Sequence, residues 1–217
     1  MKKFFVLGVL FVLPLVAYLF FSSGVNNFAK LPILTRNVNN LSNFQSLNGD
    51  RVVLNNKITI LSIYGSDIEV REGNAFNLNE KIYDKNYQFN DFQFVVLAEK
   101  GTEEQAKELL KELSTTIDAS KWNFLFGTKI DIEKFYQSLK IDVPLDENKS
   151  TSYAFIIDKS RNLRGRGREK EKYDLVKYGY DTSSVAELSN VMTDDVKVIL
   201  AEYRLELKKY NRKEGLQ

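Results

Sequence analysis

The stretch Ile-Thr-Ile-Leu-Ser-Ile-Tyr at residues 58–64 decides the fold class. A short, mostly apolar run rich in β-branched residues is typical of a strand buried on both faces of a sheet. Two similar runs follow, at residues 92–98 and 153–158, and segments with helical patterns lie between the three runs. Because strands that alternate with helices indicate parallel pairing, we predict an α/β domain with a central sheet flanked by helices.

The remaining elements can be placed around these strands. A weak helical pattern covers residues 72–86, a capping-box motif begins a helix at Thr102, and a short helical pattern covers residues 130–139. An apolar stripe from Val196 to Tyr210 predicts a long terminal helix that begins at Thr193 or near Ser183. Residues 153–158 and 163–165 are expected to form a hairpin. A βαβ unit followed by a helix, a hairpin and a terminal helix is the order of elements in a thioredoxin-like fold.

The composition excludes several function classes. The 217 residues include no Cys and no His. Thiol redox chemistry, Ser-His-Asp catalysis and sites with His or Cys metal ligands therefore cannot be built from this chain. Apart from Lys2 and Lys3, basic and acidic residues balance, which argues against a nucleic-acid-binding protein. We expect no enzyme activity, no cofactor and no small-molecule substrate.

The N-terminus has the pattern of a membrane anchor. An uncharged apolar run begins at Phe4 and ends at Phe21, directly after Lys2 and Lys3. Eighteen such residues are near the lower limit for crossing a bilayer. A cleaved signal peptide is the alternative, although the residues after the run match its cleavage site poorly. We expect residues 1–24 to anchor the chain in a lipid bilayer, with the lysines in the cytoplasm.

These patterns predict the organisation of the whole chain. Residues 25–42 are polar and rich in Asn, and we expect them to be a tether. The folded domain is expected at residues 43–210, with a polar tail at residues 211–217. The predicted location is the inner membrane, with a single membrane pass and the domain on the periplasmic side.

Four segments of the domain resemble the SCO/SenC family. They are an entry segment at residues 43–60, Trp-Asn-Phe-Leu-Phe-Gly at residues 122–127, Ile-Asp-Lys to Leu-Arg-Gly at residues 157–165, and Asp-Val-Lys-Val-Ile-Leu at residues 195–200. The order and spacing of the segments carry the resemblance. Members of this family are membrane-anchored thioredoxin-like proteins that deliver copper to cytochrome c oxidase, or service its thiols, during assembly. The resemblance implies the same fold here.

The family's metal and thiol residues are absent from this chain. Its C-x-x-x-C pair falls either on Ser66 and Val70 or on Asp67 and Arg71. Its His falls near Asn148 or Lys149. Because Cu(I) prefers soft sulfur ligands, none of these residues can replace the family's ligands. We therefore interpret the chain as a degenerate member without a metal site.

Two surfaces are candidate contacts for a protein partner. The first, here called the loop face, comprises residues 64–71 and 147–151, which a thioredoxin-like fold brings together. A salt bridge from Lys149 to Asp67 or Glu69 is one hypothesis for this face. The second is a basic loop at residues 161–172, and Trp122 is either an interface anchor or a core residue. The predicted contact residues of the loop face are Tyr64, Gly65, Ser66, Asp67, Glu69, Val70, Arg71, Asn148 and Lys149, and those of the basic loop are Arg161, Arg164, Arg166 and Arg168.

The sequence thus predicts a membrane-anchored, non-catalytic binding or scaffold module. Its partner would be a protein of a respiratory or other membrane complex, which it helps to assemble. The alternative is a copper chaperone or thiol-disulfide protein of SCO/SenC type, acting only with ligands from a partner.

Overall fold

The computed structural model of the chain describes residues 2–23, 30–167 and 176–214. Its centre is one mixed sheet with the spatial order β1-β7-β6-β3-β4-β5-β2, and β8 pairs with β6. β3, β4 and β5 are parallel to one another, whereas β6 is antiparallel to β3. The strands are β1 Ile33–Thr35, β2 Gln45–Ser46, β3 Ile58–Gly65, β4 Phe92–Glu99, β5 Trp122–Gly127, β6 Tyr153–Ile157, β7 Leu163–Arg164 and β8 Tyr180–Asp181.

The helices largely follow the predicted segments. The segment at residues 72–86 is helical throughout, with a π-helical turn in its middle. The Thr128 side chain accepts a hydrogen bond from the amide of Asp131 and caps the helix of the third segment. The helices are α1 Lys2–Ser23, α2 Glu72–Leu78, α3 Asp84–Asn86, α4 Glu103–Leu113, α5 Lys129–Gln137, α6 Val185–Glu187 and α7 Thr193–Glu214, with π-helical turns at Asn79–Tyr83 and Leu188–Met192.

Both faces of β3 are buried, as the run at residues 58–64 predicts. Ile60 and Tyr64 point into a core that includes residues of α2, α4 and α7. Leu61 and Ile63 point into a second core that includes residues of α5. Alternate side chains of a strand point to opposite faces of its sheet, so β3 contributes to both layers at once. The α/β sandwich with helices on both faces is confirmed.

Part of the expected tether belongs to the folded domain. Within residues 25–42, Ile33–Thr35 forms β1 and pairs with β7 at the edge of the sheet. Leu31 and Val38 are buried, at 4% and 0% exposure. Residues 25–29 of the expected tether lie outside the described residues. At the other end α7 continues to Glu214, beyond residue 210, where the domain was expected to end.

Two local predictions receive a clear outcome. Trp122 is a core residue, because it is 3% exposed and its indole nitrogen donates a hydrogen bond to the Asn79 side chain at 3.1 Å. The capping box at Thr102 is wrong: the hydroxyl of Thr102 donates to the carbonyl of Glu99, so it makes no cap at the start of α4.

The N-terminal apolar run forms helix α1, and Pro14 lies inside it. Several of its apolar side chains are exposed, including Leu10 at 64% and Phe11 at 70%. In the described part of the chain, no helix is long and apolar enough to cross a membrane.

Candidate functional site

The loop face is built where β3 ends and β6 begins. The amide of Ser66 donates to the carbonyl of Asn148 at 3.1 Å, and the amide of Thr151 donates to the carbonyl of Ile63 at 2.9 Å. Gly65 lies between these two bonds with a φ of +53°. The two loops that the sequence analysis expected to meet are therefore joined through their backbones.

Gly65 is required for this close approach. A Cβ at this position would lie 2.0 Å from the carbonyl oxygen of Asn148, far inside van der Waals contact. Its positive φ is also a conformation that L-residues with side chains rarely adopt. The glycine at the end of β3 thus lets the loop face close.

Side chains form a second connection between the loops. Asp67 accepts a hydrogen bond from the Asn148 amide group at 2.8 Å and lies 3.0 Å from the Ser150 hydroxyl. Arg71 donates to the Ser150 hydroxyl oxygen from Nε at 3.2 Å and from a terminal nitrogen at 2.9 Å. The same terminal nitrogen lies 3.0 Å from the Asp146 carboxylate. Charge-assisted hydrogen bonds of this kind are stronger than those between neutral groups.

Ser150 is the centre of this network. It is 1% exposed, and its hydroxyl also lies 2.6 Å from the carboxylate of Asp146. Asp146 further accepts hydrogen bonds from the backbone amides of Asn148 and Ser150 at 3.0 and 2.8 Å. The turn before β6 is therefore held by its own aspartate and is fixed to the β3 loop by Arg71.

The environment of Asp146 changes its acidity. Partial burial acts to raise the pKa of its carboxyl group, but the hydrogen bonds from Ser150 and the positive charge of Arg71 outweigh that effect. The net result is a lowered pKa. Hydrogen bonds and a nearby cation both favour the ionised form of a carboxylate. The network is therefore assembled around a charged Asp146.

Lys149 has a different partner from the expected one. Its ammonium group lies 3.4 Å from the carboxylate of Glu133, on α5. The predicted salt bridge to Asp67 or Glu69 is wrong, because Asp67 is already bonded to Asn148 and Ser150. The cation that links the two loops is Arg71 instead.

The sequence analysis missed Asp146 and Ser150. Both lie at the turn that it included only from residue 147. The signal available was the Asp-x-x-x-Ser spacing before a strand, since an Asp side chain can bond backbone amides a few residues further on. Their contact with Arg71, over 70 residues away along the chain, could not be read from this local pattern.

The outer surface of the loop face differs from its interior. Val70 is 70% exposed, and Glu69 is also exposed. Glu72 follows at the start of α2, and the nearby charge of Glu112 raises the pKa of its fully exposed carboxyl group. The surface thus presents one apolar side chain beside acidic groups.

Tyr64 cannot serve as a contact residue. It is 1% exposed, and its hydroxyl has no hydrogen-bond partner among the described residues. Burial raises the pKa of the phenol, so the group stays neutral. Ser66 remains partly exposed at the rim, where its hydroxyl lies 3.4 Å from the carbonyl of Asn148.

The basic loop is a structural clamp where it is described. Arg164 is 3% exposed and donates to Asp158, Glu202 and the carbonyl of Leu31 at 3.0, 2.6 and 2.7 Å. Burial lowers the pKa of its guanidinium, but the two carboxylates outweigh that effect and raise it. Because its donors are used inside the protein, Arg164 is wrong as a contact residue.

The other arginines of this loop differ from one another. Arg166 is partly buried and forms two hydrogen bonds to the carboxylate of Asp195, at 2.8 and 3.1 Å. Arg161 donates to the Asn40 side chain at 2.6 Å. Arg168 and residues 169–172 lie outside the described residues. The described part of the loop therefore does not form the free basic surface that the sequence analysis considered.

The residues at the loop face do not fit a copper ion. The donor set is a Ser hydroxyl, a Val side chain and a Lys ammonium, or a carboxylate and a guanidinium in the other alignment, whereas Cu(I) needs sulfur or imidazole. In the part of the chain that the structure describes, no group of three or more His, Cys, Asp or Glu residues could hold a metal ion.

Comparison with known proteins supports the fold. No protein-family model matches the chain, and no curated protein matches it. Among solved structures, the chain is similar to BsSco, a member of the Sco family of cytochrome c oxidase assembly proteins, with a TM-score of 0.53 and 15% identity over 79% of this chain and 98% of that one. A putative electron transfer protein from Aquifex aeolicus gives a TM-score of 0.50 and 15% identity over 78% and 98%.

These similarities confirm the thioredoxin-like fold and the structural similarity to SCO/SenC proteins that the sequence motifs indicated. BsSco is a protein in which a disulfide switch has been identified. The present chain contains no Cys, so it carries this fold without the residues that such a switch needs.

Proposed function

We propose that this chain is a non-catalytic binding module whose loop face contacts a protein of a membrane complex. The single observation that carries the proposal is the network joining the loops, in which Asp67 and Arg71 meet at Ser150. The face is held in one shape by hydrogen bonds and an ion pair, without a metal or a disulfide. Such preorganisation lowers the entropic cost of binding.

The outer surface of the loop face supports the same proposal. Val70 is largely exposed and forms no part of the network beneath it. An exposed apolar side chain on a rigid support, beside the carboxylates of Glu69 and Glu72, can supply contact area while the acidic groups select a partner by charge. Asp67 and Arg71 hold the surface in place from below.

We further propose that α1 attaches the module to the inner membrane, with Lys2 and Lys3 in the cytoplasm and the domain on the periplasmic side. The support is the absence of charge between Phe4 and Phe21 and the exposure of apolar side chains such as Phe11. Exposed apolar surface of this extent favours a lipid environment.

Cell fractionation tests the attachment. We expect the full chain in the membrane fraction, resistant to alkaline carbonate. The double variant Leu10→Arg with Leu13→Arg should be released, because each charge at a helix centre costs about 3 kcal/mol of insertion energy. Recovery of the unaltered chain in the soluble fraction would contradict the proposal, and a mature N-terminus after residue 21 would show a cleaved signal peptide instead.

Site-specific cross-linking tests the docking face. A photo-reactive amino acid at position 70 of the full chain, in native membranes, should give a discrete adduct with a partner. The matched control is position 185, because Val185 is also exposed, at 43%, but lies on α6 outside the loop face. Equal adducts at both positions would refute docking through the loop face.

A charge substitution then tests whether the adduct reports specific binding. Val70→Asp should reduce partner capture by about tenfold, since truncating or charging an interface anchor commonly costs about 1–2 kcal/mol or more. Val185→Asp should leave capture unchanged. If Val70→Asp binds the partner as the unaltered chain does, the contact lies elsewhere.

A further inference from the structure

A cleft of about 990 Å³ lies away from the loop face, between the two arms of the entry segment. One arm contains β2, which pairs with β5, and the other arm is residues 50–55. The turn between them is closed by a hydrogen bond from the Gly49 amide to the carbonyl of Ser46. The arms are not paired with each other as strands, and Leu125 contributes to the lining between them.

The second arm has the side-chain pattern of a strand. Arg51, Val53 and Asn55 are exposed, while Val52 is half-buried and Leu54 is buried. Alternation with a period of two is the signature of a strand with one face on the core. The arm is nonetheless assigned to no sheet in the described structure.

The backbone amides of this arm are open. Among the described residues, no acceptor is bonded to the amide of any residue from 50 to 55. Three carbonyls are used, because Asp50 accepts from Ser46, Val53 from Gln93 and Leu54 from Lys57. The arm is thus held in place through its carbonyls while its donors remain free. A row of unpaired backbone groups is a template for pairing with another chain.

The chemistry of the lining limits what can occupy the cleft. Its charged residues are Asp50 and Arg51, which are adjacent and of opposite sign. Most other lining residues are amides, Ser or apolar side chains, with Leu41, Leu54 and Leu125 among the last group. Charge complementarity therefore favours an occupant that is uncharged along its length and carries apolar side chains at alternate positions.

We propose that the cleft binds an uncharged, extended peptide segment, which adds to residues 50–55 as a strand and places alternate apolar side chains towards Leu54 and Leu125. Strand addition draws its affinity from main-chain hydrogen bonds and its specificity from pockets for every second side chain. None of the cleft residues belongs to the loop face, so this inference stands apart from the proposed function.

Hydrogen exchange on the full chain is the first test. In the free protein, the amides of residues 50–55 should exchange without protection while those of β3 are protected. Strong protection of residues 50–55 in the free protein would overturn the proposal, because those amides would already be bonded.

The second test uses a displayed library of random linear twelve-residue peptides as the probe. Selected peptides should slow exchange at alternate amides of residues 50–55. Gln45→Trp, which fills the cleft from β2, should weaken their binding by at least about tenfold. The matched control is Asn48→Trp, because Asn48 lies on the same hairpin but does not line the cleft, and it should bind within about twofold.

Two further measurements keep the test decisive. Equal unfolding midpoints of the two Trp variants show that the effect is local. Replacing alternate residues of the peptide by Pro should abolish binding, because Pro removes backbone donors. A library that yields no peptide protecting residues 50–55, or binding that survives both Gln45→Trp and Pro replacement, would overturn the proposal.

Discussion

The guanidinium of Arg71 lies 3.0 Å from the carboxylate of Asp146, and this pair joins the loop after β3 to the turn before β6. Arg71 is 17% exposed and Asp146 41% exposed at the side chain, so the pair sits at the boundary between solvent and interior. Arg71 also bonds the buried hydroxyl of Ser150. The shape of the loop face therefore depends on one arginine.

Replacement of Arg71 should loosen the loop face. Arg71→Ala removes the donors to Ser150 and Asp146, and we expect it to lower the free energy of unfolding by about 1–3 kcal/mol. The control is Lys149→Ala, which breaks the more exposed pair with Glu133 and should cost no more than about 1 kcal/mol. Urea denaturation measures both. Equal losses would show that Arg71 has no special role.

The same pair predicts a pH dependence of stability. Asp146 has a lowered pKa in the folded state. A carboxyl group of this kind stabilises the fold above its unfolded pKa, about 3.9, and that contribution is lost as the pH falls through the folded pKa. The pKa of Asp131 is also lowered, mainly by the hydrogen bonds from Thr128, so the total acid sensitivity has more than one source.

Comparison with Asp146→Asn isolates the contribution of this carboxyl group. At pH 7 the variant should be less stable than the unaltered chain, and the difference should shrink as the pH falls below about 4. Unfolding curves measured between neutral pH and strong acid provide the test. A difference that stays constant over this range would contradict the assignment.

Gly65 and Gly73 should respond in opposite directions to the same substitution. Gly65→Ala places a Cβ 2.0 Å from a backbone oxygen at a positive φ, and we expect a loss of at least about 2 kcal/mol. Gly73 lies in α2 with open space around it, so Gly73→Ala should stabilise by about 0.5–1 kcal/mol. Thermal unfolding distinguishes the two. Tolerance of Gly65→Ala would show that the two loops can separate.

The buried arginine of the former basic loop should be the most sensitive of these positions. Arg164→Ala leaves Asp158 and Glu202 without their partner in a buried site, which costs about 3–5 kcal/mol. Arg161→Ala removes only the hydrogen bond to Asn40 and should cost about 1 kcal/mol or less. Denaturant titration of both variants checks the contrast, and a small effect at Arg164 would restore the basic loop as a candidate surface.

The sequence predicts best where local composition decides the structure. The runs that became β3, β4 and β6 are apolar and β-branched because the strands are buried, and that signal needs no knowledge of the partners. β1 was missed because a strand of three residues has no detectable period, and its pairing with β7 depends on residues far along the chain.

The errors at the candidate sites have a common physical cause. Arginine is usually exposed, so Arg164 was interpreted as a surface residue. Its burial depends on Glu202, which is brought to it only by the packing of α7. Lys149 likewise pairs with Glu133 across the fold instead of with the acids of the neighbouring loop. Ion pairs between distant segments follow from tertiary structure, which local patterns do not contain.

The structure also bears on which residues stand at the family's C-x-x-x-C positions, a choice between two pairs that the sequence left open. Asp67 and Arg71 both belong to the network that joins the loops. Ser66 and Val70 lie outside its side-chain contacts with Ser150, and Val70 is exposed. A change at Ser66 and Val70 therefore leaves the loop face intact, whereas a change at the other pair removes its support.

Copper binding by engineered variants tests this difference. The unaltered chain should take no Cu(I) from a competing chelator, because the loop face offers no sulfur or imidazole ligand. Ser66→Cys with Val70→Cys adds two thiols separated by four residues, the spacing of one helical turn, and we expect it to compete with the chelator. Asp67→Cys with Arg71→Cys supplies the same two thiols but breaks the network, so it should bind more weakly and unfold at lower denaturant. Retention of Cu(I) by the unaltered chain would contradict the absence of a metal site, and tighter binding by the second variant would assign the family's positions to Asp67 and Arg71.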